Sequence, residues 1–61
     1  MTAEEMLALC EKVARTYQTN MEKYRDEALA IGKRQNSDLF QEHANAAEEI
    51  ADNILSLKEI L

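Results

Sequence analysis

Apolar side chains return at helical spacing twice along this chain, and one short stretch holding the only glycine separates the two runs. In the first run Met6, Cys10, Val13, Tyr17, Met21, Tyr24, Ala28 and Ile31 follow one another at steps of three or four residues. In the second, Phe40, His43, Ala47, Ile50, Ile54, Leu57 and Leu61 alternate three and four strictly. Such spacing lines one face of an α-helix, and the strict alternation is a heptad seam. No proline interrupts either run. The expected fold class is therefore all-α, an antiparallel two-helix hairpin forming a single domain.

Local signals set the expected boundaries. Thr2-Ala3-Glu4-Glu5 reads as a capping box, with the Thr2 hydroxyl placed for the Glu5 amide and the Glu5 carboxylate reaching back, so a helix should start at Ala3. Met1 and Met6 sit where a hydrophobic staple would close. The apolar pattern lapses in Gly32-Lys33-Arg34-Gln35-Asn36-Ser37-Asp38. Lys33 and Arg34 suit the negative end of a helix dipole, while Ser37 or Asp38 suits an N-cap, with Gln41 completing a box with Asp38. The spacing predicts a helix over about 3–34, a turn over about 35–37 and a helix over about 38–60. Folding back about that turn sets Ala28 opposite His43, Tyr24 opposite Ala47 and Tyr17 opposite Ile54. The first helix, being longer, would overhang its partner.

Hydrophobic residues make up 46% of the chain, but many are alanines and only Tyr17, Tyr24 and Phe40 are aromatic. Ordering each residue costs roughly 1.5 kcal/mol, which one thin hairpin core seldom offsets without disulfides or a metal. Self-association is the usual remedy. On a helical projection the second helix is apolar over roughly 220° of its surface, more than a single partner helix can cover. Leu7, Leu9, Leu39, Ala44, Ala51, Leu55 and Ile60 are the candidate dimer-interface residues, and the expected product is a four-helix bundle of two hairpins. Singly exposed leucines are also ordinary on monomers.

Charge is divided unevenly. Six acids balance six bases up to Arg34, so the net charge of −5 belongs to the second helix, where Lys58 alone opposes six carboxylates. Glu42, Glu48, Glu49, Asp52 and Glu59, with Asp38, form an acidic face that could dock a basic protein, although plain solvation is the commoner role of such a face. On the first helix Lys12, Lys23 and Arg34 are spaced by eleven, with Arg15 and Lys33 nearby, a stripe that could follow a phosphate backbone. Against this, Glu5, Glu22, Asp26 and Glu27 are mixed into the same surface, and seam tyrosines cannot stack on bases.

No catalytic constellation is found. Di-iron bundles need Glu-x-x-His pairs, and Phe40 stands three before His43. His43 is expected to be a seam histidine hydrogen-bonded locally, with Tyr24 a possible partner, and no metal or cofactor is expected. Gly32-Lys33-Arg34 lacks the spacing of a phosphate loop, and adjacent Glu48-Glu49 or Glu4-Glu5 diverge on a helix. Cys10, the only cysteine, is expected to pack as a small hydrophobe. The opening residues lack the basic and apolar regions of a signal peptide, and no stretch reads as a membrane span, so the expected location is the cytoplasm.

The segments Tyr24-Arg25-Asp26-Glu27-Ala28-Leu29-Ala30-Ile31-Gly32-Lys33 and Ser37-Asp38-Leu39-Phe40-Gln41-Glu42-His43-Ala44 resemble the small helical-hairpin proteins encoded in the early, exo-xis region of lambdoid temperate phages. That resemblance implies a non-enzymatic accessory protein of phage development, acting on host or phage regulation at the choice between lysis and lysogeny. It transfers no catalytic residue. The architecture also resembles plasmid RNA-organising proteins that dimerise from two hairpins, but this chain departs from them in lacking a clear basic face on the paired helices. The leading expectation is a homodimeric regulator that binds a host or phage protein. The alternative is a small RNA or DNA binder using Lys12, Arg15, Lys23, Lys33 and Arg34.

Overall fold

The computed structural model describes residues 1–61 and contains two helices, α1 over Ala3–Ala30 and α2 over Arg34–Ile60. They run antiparallel. Glu11 meets Lys58 near one end, and Tyr24 meets Phe40 towards the other. With extents of 45 × 16 × 10 Å the molecule is two helices wide and one helix deep.

α1 begins as its sequence predicts. The Glu5 amide donates to Thr2 Oγ1 at 3.1 Å, and the Thr2 amide donates to Glu5 Oε1 at 3.4 Å. Two of the amides that a helix start leaves without partners are thereby satisfied.

The turn comes earlier than the spacing predicts. α1 stops at Ala30, Ile31 caps it, and Gly32 adopts φ +78°, a conformation that costs other L-residues about 1–2 kcal/mol. The Lys33 amide donates to Ala28 O at 2.8 Å and the Gly32 amide to Leu29 O at 3.1 Å, the paired bonds of a Schellman motif. This corrects the expected turn at 35–37 and the expected cap. Lys33 is the N-cap of α2 without a side-chain cap bond, and Ser37 lies inside the helix, its backbone amide donating to Lys33 O at 3.0 Å. Dipole and capping preferences are each worth about 1 kcal/mol, and glycine's access to positive φ outweighs them here. Arg34 accordingly opens α2 instead of closing α1.

Moving the turn slides the register. Tyr17 lies opposite His43 rather than Ile54, and Tyr24 opposite Phe40 rather than Ala47. The helices, at 28 and 27 residues, are nearly equal in length, so the expected overhang of α1 is absent.

The seam between the helices is made of small residues. Ala14, Ala28, Ser37, Ala44, Ala47 and Ala51 are the only buried residues, and no large side chain is fully buried. Leu7, Met21, Phe40 and Ile54 flank them half-buried. Alanine lets helix backbones approach closely but removes little apolar area from water. The heptad positions expected to fill the seam, Val13, Tyr17, Tyr24, Ile31, His43, Ile50, Leu57 and Leu61, are instead exposed, and so is Cys10.

Candidate interaction surface

Those displaced side chains gather on one broad face of the hairpin. Leu9, Val13 and Tyr17 from α1, with His43, Ala46 and Ile50 from α2, line an open groove of about 850 Å³ running between the helices, with Ala14 and Ala47 at its floor. A helix whose apolar arc exceeds one partner's footprint must leave one edge of it uncovered. Here the alanine edge of both arcs turns inward and the large-residue edge turns out. Both edges lie on the same face because the helices are antiparallel.

The groove holds one polar contact. Tyr17 Oη and His43 Nδ1 are 2.9 Å apart, with ring centroids at 6.3 Å. His43 therefore pairs with Tyr17, not with Tyr24, whose ring packs on Phe40 at 5.7 Å. A hydrogen-bonded pair set within apolar surface favours coverings that leave the pair intact, since breaking it in a dry contact would cost about 1–3 kcal/mol.

The opposite face is polar and laced across the seam. Arg15 Nη2 donates to Asp52 Oδ1 at 3.1 Å, Lys58 Nζ to Glu11 Oε1 at 3.1 Å, and Arg25 Nη1 to Gln41 Oε1 at 2.6 Å. These groups are partly hydrated, so each contributes little net stability, but together they favour this register over a slipped one. Arg25 Nε also donates to Asp26 Oδ1 at 2.9 Å, and that bond holds the guanidinium above its ordinary pKa against a smaller opposing effect of desolvation.

The candidate interface residues divide. Leu9 lines the groove, and Leu39, Leu55 and Ile60 are exposed. Leu7 is half-buried. Ala44 and Ala51, at 1% and 0% exposure, belong to the seam within the hairpin and cannot meet a second chain, which corrects that expectation. Val13, Tyr17, His43 and Ile50, which the spacing places in the seam, belong to the open face. The 220° arc on α2 was the signal that the seam could not hold everything apolar.

Of the acidic candidates, Glu48, Glu49 and Glu59 are exposed, while Asp52 is paired with Arg15 and Glu42 borders the groove. The basic stripe is broken. Arg15 is committed to Asp52 and Glu11, and Lys33 and Arg34 lie at and beyond the turn rather than on α1. Lys12 and Lys23 remain exposed on α1.

No group of three His, Cys, Asp or Glu side chains converges as a metal site would require, and no helix is long and apolar enough to cross a membrane. No known family model, curated protein or solved structure matches the chain.

Proposed function

We propose that this protein is a non-enzymatic interaction module that works as a homodimer, two hairpins closing their apolar faces into a four-helix bundle and carrying the acidic outer side of α2 to a basic protein partner. One observation carries the reading: the hairpin buries no large side chain of its own, while Val13, Tyr17, His43 and Ile50 lie uncovered together on one face. A 61-residue chain with so small a core needs further burial to outweigh its ordering entropy. A second copy offers a matching face at the same concentration, and closed two-fold pairing is the commonest way such a face is satisfied.

The resemblance to early-region proteins of lambdoid phages gives this module a setting, an accessory regulator in a bacterial host acting through protein contacts. Sedimentation equilibrium tests the dimer: a mass of one chain across micromolar concentrations rejects it. Capture of basic proteins from a host extract, compared between wild type and a Glu48→Lys, Glu59→Lys variant, tests the acidic side; an unchanged set of partners rejects that part. The nucleic-acid alternative predicts a gel shift at low salt that Lys12→Glu and Lys23→Glu abolish.

A further inference from the structure

We propose that the two copies meet with their turns at the same end, so that each α1 lies on the partner's α2. This inference deepens the dimer reading and rests on it. The argument comes from the charges that rim the apolar face. On the outer edge of α1, Lys12 borders a hollow beside Val13 and Tyr17, and Lys23 follows eleven residues later, within about 20° of the same line. On the outer edge of α2, Glu42 borders the groove and Glu49 follows seven residues later, on nearly the same line. All four side chains are exposed.

The contacts Tyr24 to Phe40 and Arg25 to Gln41 put Lys23 and Glu42 at one level along the hairpin, but on opposite edges of a molecule 16 Å wide. They cannot pair within one chain. Two face-to-face arrangements have two-fold symmetry. With turns at the same end, α1 covers α2 of the other copy, and Lys23 faces the partner's Glu42 while Lys12 comes within a turn of the partner's Glu49. With turns at opposite ends, α1 covers α1 and α2 covers α2. Inversion about the hairpin's middle then sets Lys12 against the partner's Lys23 and crowds the glutamates of the two α2 rims. Like charges at a contact rim select against a partner geometry, and opposite charges select for it. Among these four side chains the first arrangement sets opposite charges together and the second sets like charges together; Glu27, near the same edge of α1, comes level with the partner's Asp38 in the first and with the partner's Glu5 in the second.

The test is a charge reversal read by sedimentation. Lys23→Glu should weaken dimerisation about fivefold, and Lys23→Glu with Glu42→Lys should return it to within about twofold of wild type. In the opposite-end arrangement Lys23→Glu would face Lys12 and tighten the dimer, which would overturn the proposal. Spin labels on Lys33→Cys in a Cys10→Ser chain give a second measurement. Same-end turns place them within roughly 25 Å, about two helix diameters, whereas a separation near the 45 Å length of the hairpin overturns the orientation. If the Cys10→Ser chain does not fold, the charge reversal in the otherwise native chain decides alone. A monomer at every concentration would instead overturn the dimer reading itself.

Discussion

Gly32→Ala tests where the chain turns, and its sign separates two geometries. In the structure Gly32 sits at φ +78° with open space around the position an added Cβ would occupy, so no steric clash contributes. The cost is conformational. An L-residue in the left-handed region loses about 1–2 kcal/mol, and alanine recovers about 0.4–1 kcal/mol by restricting the unfolded chain. The net expectation is a loss of about 1 kcal/mol, or roughly 5 °C in Tm for a domain of this size. A turn at 35–37 would leave Gly32 within the last turn of a longer first helix, where alanine stabilises by about 1 kcal/mol. Thermal unfolding followed by circular dichroism, at one fixed protein concentration, distinguishes the two. A raised Tm refutes the Schellman turn, and with it the register that places Tyr17 against His43.

Ser37→Ala should move stability by less than about 0.5 kcal/mol, because its hydroxyl caps nothing, whereas loss of a true cap costs about 1 kcal/mol; urea midpoints decide. Ala51→Leu, at a fully buried seam position, should destabilise by about 1–3 kcal/mol through overpacking, and wild-type stability would show that the seam can open. Ile50→Glu, on the exposed face, should abolish dimerisation in sedimentation and lower helix content with it; retention of both would remove that face from the interface. Asp52→Asn should cost no more than about 0.5 kcal/mol and lose even that at high salt, since its ion pair with Arg15 is largely exposed.

The two helices and the Thr2 cap could be read from residue order because they depend on near neighbours: apolar spacing, a hydroxyl three residues before a glutamate, no proline. The turn could not be placed as well. Lys33, Arg34, Ser37 and Asp38 each pointed to a longer first helix, and a single glycine's backbone freedom overrode them. The seam departs from the apolar spacing for a different reason. Periodicity reports the middle of an apolar arc, but the one neighbouring helix covers only an edge of an arc this wide. Val13, Ile50 and His43 mark that middle and its outer edge, while Ala14, Ala44 and Ala51 mark the edge that one antiparallel helix occupies. Residue spacing also could not show that Arg15 is bound to Asp52, a partner distant in sequence, and so overstated the basic stripe.

The alanine seam bears on how the amount of protein governs whether any of it works. Two helices joined through methyl groups have little reason to remain together in isolation, so in the dimer proposed here chain folding and pairing become one second-order event. Below a threshold abundance the chains would be mostly unstructured and open to proteolysis, and above it the folded population would rise more steeply than synthesis. Such a dimer would report its own level, and a modest change in expression would become a sharp change in the folded species.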